Sequence, residues 1–326
     1  MSYRPPFQVS AAAIRTIAEI AALLERYAVR MDRSGALKLR RVNRVRTIQA
    51  TLAIEGNGLS EEQVSEILDG KRVAGPLREI QEVRNAIAVY DAAQTFDPFS
   101  ISDLLKAHGI MMAALTDEAG AFRKGGAGVV RGEEVIHMAP PANRVPELMR
   151  DLFAWLRTSE DHPLIQSCVF HYELEFIHPF ADGNGRMGRL WQSVILGKWH
   201  PTFRQLPVET MVFANQARYY QAINESSAAN DSGIFLEFML GEILHALRKR
   251  QSAPHAGEKK TGPELCNRIL RAIRKTPGIR SGALAAQFDV SSRTVERCLQ
   301  ELKHKGLIEF RGAPRNGGYY PKDNGA

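Results

Sequence analysis

The stretch FIHPFADGNGRMGRLWQ, residues 176–192, gathers an imidazole, a carboxylate, a Gly-Asn-Gly and two arginines within a dozen positions. Pro179 ends a helix and biases His178 away from helical geometry, which presents its ring at the loop. Gly183 and Gly185 let the backbone turn its N–H groups inward. With a helix starting at about Gly185, they predict an anion-binding nest at a helix N-terminus. Arg186 and Arg189 share one side of that helix, and guanidinium forks match phosphate oxygens. Asp182 is a hard oxygen ligand suited to a phosphate-bound Mg²⁺. Asn-Gly alone is a common turn, and a lone His near a helix end is usually structural. The conjunction of all of them between two amphipathic helices predicts a base beside a metal–triphosphate clamp.

The flanking elements are helical. Ile165, Val169, Tyr172 and Phe176 form an apolar stripe before the loop, and Met187, Leu190, Trp191, Val194 and Ile195 form another after it. Further helices are predicted over about 14–27, 38–54, from Ser60 with Gln63 at capping-box spacing, through Ile80 to Tyr90, and over 101–115, 145–158, 164–177 and 235–250. Residues 121–141, AFRKGGAGVVRGEEVIHMAPP, carry β-branched pairs around glycines and predict a short hairpin or flap. The organisation expected is an N-terminal helical region over 1–115, a core over 116–248, a polar linker over 249–262 and a small unit over 263–326.

The 326 residues carry a net charge of +7. Twelve Lys/Arg against six Asp/Glu lie between Thr261 and Ala326, so basicity belongs to the tail and points to a polyanion or an acidic partner there. No run of about 18 apolar residues exists, so a membrane is not an expected partner. The first 30 residues lack the order of a secretory signal. Cys168, Cys266 and Cys298 are odd in number and in no metal-type spacing, and a reduced, cytoplasmic protein is the simple reading.

HPFADGNGRMGR resembles the signature of the Fic family, His-x-Phe-x-Asp/Glu-Gly-Asn-Gly-Arg-x-x-Arg, with every defining position filled. The resemblance covers most of residues 30–245. It implies a mainly α fold, a Fic-type helical core with a short β-hairpin flap, and transfer of AMP from ATP to a protein Ser, Thr or Tyr hydroxyl, the chain itself included. The resemblance makes His178 the general base, Phe180 a buried anchor of the loop and Asp182 the Mg²⁺ ligand. It places Gly183, Asn184 and Gly185 on the α-phosphate, Arg186 towards the β-phosphate and Arg189 on the γ-phosphate. It also implies that the flap, within Val129 to His137, pairs with an extended target segment; a purely structural hairpin is the other reading. Asn215, Tyr219 and Tyr220 would shape the adenine side, with core packing equally open for the tyrosines. Family members often pair, so a homodimer is open.

TLAIEG, Thr51 to Gly56, matches the family's inhibitory motif Ser/Thr-x-x-x-Glu-Gly/Asn, placed before the core. Glu55 would then pair with Arg189 and take it from the γ-phosphate. In some members the same glutamate positions a water that removes AMP, so deAMPylation by the same site stays open.

The tail, residues 263–323, resembles a winged helix-turn-helix: helices over 264–275, 281–288 and 292–305, then a hairpin wing. Ser291, Arg293, Thr294, Arg297 and Gln300 would face a DNA groove, with Arg311 and Arg315 near phosphates. Such modules also dock proteins. A second class of function therefore stands beside the enzyme: a DNA-binding regulator that uses the Fic core to sense a nucleotide or bind a partner.

Overall fold

The computed structural model describes residues 3–30, 36–131, 134–206, 208–252, 263–288, 290–313 and 317–322. Two compact units divide the chain, residues 1–253 and 254–326.

In the first unit the helices are α1 (Ala11–Arg30), α2 (Ala36–Ala53), α3 (Glu61–Leu68), α4 (Leu77–Ala92) and α5 (Ile101–Met111). They are followed by α6 (Val145–Thr158), α7 (Pro163–Ile177), α8 (Asn184–Trp199), α9 (Val208–Ala214), α10 (Gln216–Ala229) and α11 (Gly233–Ser252). The α7–α8 pair is the centre. Every residue of α7 from Leu164 to Leu174 is buried, polar ones included, because α6, α8 and α11 all pack on it. At the start of α3 the Ser60 hydroxyl accepts from Gln63 N while the Gln63 side chain accepts from Ser60 N, a complete capping box.

Between α5 and α6 a hairpin pairs β1 (Gly128–Arg131) with β2 (Glu134–Met138), antiparallel, with the register shifting between Val129 and Val130. Two helix ends differ from the sequence expectation. The helix expected over 101–115 stops at Met111, and Ala114 follows in the left-handed region at φ 58°. The last helix of this unit runs through Ser252, so positions 249–252 of the expected linker are helical; its remainder lies outside the described residues.

The second unit holds α12 (Pro263–Lys275), α13 (Ser281–Phe288), α14 (Ser292–His304) and an antiparallel wing of β3 (Ile308–Arg311) and β4 (Gly318–Pro321). Ser291 caps α14 by accepting from Thr294 N. Its core joins Ile269, Ile273, Leu284, Val295, Leu299 and Ile308. The reduced-cysteine reading needs correction here. Cys266 and Cys298 form a disulfide with Cα atoms 5.0 Å apart, because α12 and α14 pack face to face across a sequence separation of 32. Cys168 is the free, buried thiol among the described residues, and burial pushes its pKa up to about 12. No described helix is long and apolar enough to cross a membrane.

Candidate active site

The loop between α7 and α8 is built by two residues in left-handed conformation. His178 caps α7 at φ 50°, ψ 59°, a backbone state that costs a β-substituted residue energy and that surrounding contacts must hold. Gly183 caps the start of α8 at φ 87°, where a glycine is free of that cost. Asn184 clamps the loop shut: its Oδ1 accepts from Phe180 N and its Nδ2 donates to Phe180 O, both at 2.9 Å. Asn184 is buried, and its side chain is spent on the loop backbone. Phe180 is fully buried and stacks on His108 with centroids 3.8 Å apart.

Several supports of this loop carry no sequence signal. Arg123, 3% exposed, donates through Nε to His178 O at 2.7 Å, through Nη2 to Pro140 O at 2.5 Å and through Nη1 to Gly125 O at 2.8 Å. One side chain thereby ties both feet of the hairpin to the loop. His108 accepts from Gly120 N at Nδ1, which leaves Nε2–H to donate to Asp182 O at 3.0 Å. Burial lowers its pKa, in keeping with a neutral ring.

His178 Nδ1 lies 3.3 Å from Glu175 O. With Nδ1 as the donor, Nε2 keeps its lone pair for proton abstraction. Asp182 Oδ1 accepts from Gly183 N at 2.6 Å and from Arg186 Nη2 at 2.9 Å, and Arg78 Nη2 approaches Oδ2 at 3.5 Å. Arg78, from α4, is a third residue that the sequence did not single out. Arg186 is buried, and Glu82 Oε1 stands 3.9 Å from its Nη1.

Arg189, with 2% of its side chain exposed, is filled by the end of α2. Its Nη2 donates to Glu55 Oε1 at 2.6 Å and to Thr51 O at 3.0 Å, and its Nε donates to Thr51 Oγ1 at 3.1 Å. Burial disfavours the guanidinium charge, but Glu55, Tyr219 and Glu175 together outweigh that effect and the pKa is raised. A Cβ on Gly185 would lie 2.6 Å from Glu55 Oε1, so only glycine lets this carboxylate reach the first turn of α8. Gln216 Nε2 donates to Ile54 O at 3.1 Å and holds the segment just after α2 from α10.

Behind Arg189 lies a buried polar cluster. His171 Nδ1 pairs with Gln192 Oε1 at 2.8 Å and its Nε2 with Tyr219 OH at 3.0 Å. Burial depresses the His171 pKa to about 3 and lifts that of Glu175 to about 7. Tyr219 is thus a core residue, 1% exposed and packed on Phe235, the core-packing alternative of the two readings open for it. Its neighbour Tyr220 is 41% exposed. Asn215 Nδ2 donates to Glu242 Oε2 at 2.9 Å.

In the second unit Arg293, Arg297 and Gln300 are exposed on α14. Arg311 is exposed too, with its Nε on Glu309 Oε1 at 2.6 Å and its guanidinium over Tyr320. Arg315 lies outside the described residues.

Comparison with known proteins follows the same division. Residues 98–196 match the Fic/DOC family, and residues 267–309 match a winged helix-turn-helix DNA-binding family. The chain is 34% identical over 190 residues to protein adenylyltransferase fic-1 of Caenorhabditis elegans, covering 53% of this chain and 35% of that protein. It is 31% identical over 165 residues to protein adenylyltransferase Fic of Aedes aegypti, covering 47% and 32%. The match therefore spans about a third of the length of these curated relatives. A crystal structure of a Fic family protein from Desulfovibrio desulfuricans G20 is 42% identical, with a TM-score of 0.73, over 99% of this chain and all of that one. With that likeness over the whole of both chains, and the complete loop from His178 to Arg189, the chain belongs to the Fic family.

Proposed function

We propose that the chain is an autoinhibited adenylyltransferase that moves AMP from ATP onto a Ser, Thr or Tyr hydroxyl of a protein. The contact between Glu55 and Arg189 carries this reading: an internal carboxylate occupies, at 2.6 Å, an arginine that a helix N-terminal anion site offers to a phosphate. The names of the curated relatives support the same chemistry.

In the reaction, His178 Nε2 takes the proton of the target hydroxyl, and the freed oxygen forms a bond to the α-phosphorus of ATP. The bond from that phosphorus to the β-phosphate bridging oxygen breaks, and pyrophosphate leaves. N–H groups at the first turn of α8 face the charge that develops on the α-phosphate. Arg189 can hold the γ-phosphate only after Glu55 withdraws.

Asp182 fits a divalent cation. Its carboxylate is 45% exposed at the mouth of the nest. Among the described residues no group of three or more His, Cys, Asp or Glu could cage a metal, as suits Mg²⁺ held by one carboxylate, phosphate oxygens and water. Bound there, the cation would neutralise phosphate charge.

Incubation of the wild type, Glu55→Gly and His178→Ala with labelled ATP, followed by mass spectrometry of the product, tests this reading. Label absent from both wild type and Glu55→Gly would overturn it. A second reading concerns the C-terminal unit alone: the exposed Arg293 and Arg297 on α14 support duplex DNA as its partner.

A further inference from the structure

Past Arg189, the C-terminal half of α8 turns Ser193, Val194 and Lys198 towards a cavity of about 690 Å³. Its size is that of a small-molecule site. Another wall is α2, through Asn43, Arg44 and Thr47.

We propose that this cavity is an effector site for a small aromatic anion, a flat apolar body bearing a hydrogen-bond donor, whose binding clamps α2 onto α8 and keeps Glu55 on Arg189. The clamping half rests on the autoinhibited-transferase reading; the binding half does not.

Three features select the ligand class. The buried Glu209 carboxylate belongs to the lining, accepting at Oε1 from Tyr90 OH at 3.1 Å and Ser193 Oγ at 3.0 Å. It is an acceptor that suits a ligand N–H or O–H. The apolar lining comes from Phe96, Leu190, Val194 and Phe203, and flat faces of this kind favour a ring over a flexible chain. Cations supply the third feature. Arg44, Lys198 and Arg204 line the cavity, against the carboxylates of Asp91 and Glu209. Asp91 and Arg44 are paired with each other and burial raises the pKa of Glu209, so Lys198 and Arg204 supply the cavity's surplus positive charge.

The coupling follows from which helices the cavity joins. Arg44 lies on α2, the helix that delivers Thr51 and Glu55; Lys198 lies on α8, the helix that carries Arg189. A ligand bound between Arg44 and Lys198 adds to the same helix pair that the Glu55 contact closes. Any nucleotide that needs α2 displaced must then bind more weakly, and the reverse holds equally.

The probe is 1-anilinonaphthalene-8-sulfonate, which combines fused rings, an N–H and a sulfonate. Titrated into the full chain, it is expected to give saturable enhanced fluorescence at one site per chain. Arg44→Ala and Lys198→Ala should each raise the dissociation constant about tenfold. Val194→Phe, which fills the cavity, should remove binding at unchanged melting temperature; if it unfolds the chain, the two cation variants decide. Equal binding by wild type, Arg44→Ala and Lys198→Ala overturns the site. Saturating probe should lower AMP transfer about fivefold in the wild type, and the concentration that gives half of this effect should rise about tenfold in Lys198→Ala. An unchanged wild-type rate overturns the clamping. If no protein transfers label, the transferase reading fails while the fluorescence titration still judges the site.

Discussion

Glu55 Oε1 stands 2.6 Å from Arg189 Nη2 although 134 residues separate them, and the same guanidinium also takes both oxygens that Thr51 offers. The end of α2 is thereby latched to the second turn of α8. A charge-assisted hydrogen bond is worth about 1.5–3 kcal/mol, which corresponds to roughly tenfold to a hundredfold in an equilibrium.

Glu55→Gly is therefore expected to raise transfer from labelled ATP by that factor. Part of Glu55 is in solvent, its side chain being 34% exposed, so the lower end of the range is the firmer expectation. Unchanged transfer would remove the inhibitory role.

His178→Ala should abolish transfer in both the wild-type and Glu55→Gly backgrounds. The fold should persist, since the loop is also held by Asn184 and Arg123. Circular dichroism and melting temperature check the second half. Residual transfer above about 1% would show that another group takes the proton.

Arg123→Ala should be costly in a different way. It strips donors from His178 O, Pro140 O and Gly125 O at once. Part-buried carbonyls left without their charged donor correspond to a loss of about 1–3 kcal/mol, seen as a lower denaturation midpoint. Transfer should fall even where the protein is folded, because the left-handed His178 loses its anchor.

The pH response of stability divides between two neighbours. The folded-state pKa of Glu175, about 7, lies above its ordinary value of 4.5. The folded state therefore binds more protons, and this contribution is lost as pH rises from about 4.5 to 7. His171 is the opposite case: its pKa falls from 6.5 to about 3, so the unfolded state binds more protons and stability is lost as pH falls through that window. Glu175→Gln should accordingly gain stability relative to the wild type between pH 5 and pH 8, measured by thermal unfolding. A difference that shrinks with rising pH would contradict the assignment.

For the C-terminal unit, Arg297→Ala should weaken duplex binding and flatten its salt dependence by about one unit of slope per lost phosphate contact. Gel shifts from 50 to 200 mM salt measure it. Binding indifferent to salt, or absent with every duplex, would favour a protein partner.

Much of the site was legible because it is local. His178 to Arg189 is one loop and the first two turns of one helix, and the positions of Pro179 and Gly183 set where the helices stop and start. Arg123, His108 and Arg78 were not legible, since each is an ordinary residue on its own element and acquires its role only from the backbone it meets. Glu175 left a trace: an acid in the apolar helix just before the loop, whose meaning depended on α8 and α10 closing over it. For Asn184 the side-chain clamp on Phe180, and for Tyr219 the choice of core packing, depended on partners inside the fold.

The amino-acid sequence alone determined the helical elements, the loop from His178 to Arg189 and the basic winged-helix tail, because periodicity, caps and contiguous motifs are short-range properties. Tertiary structure decided that Glu55 reaches Arg189, that Cys266 meets Cys298 and that Arg123 bolts the hairpin to His178. Those contacts join residues on separate elements, and only helix packing brings their side chains within bonding distance.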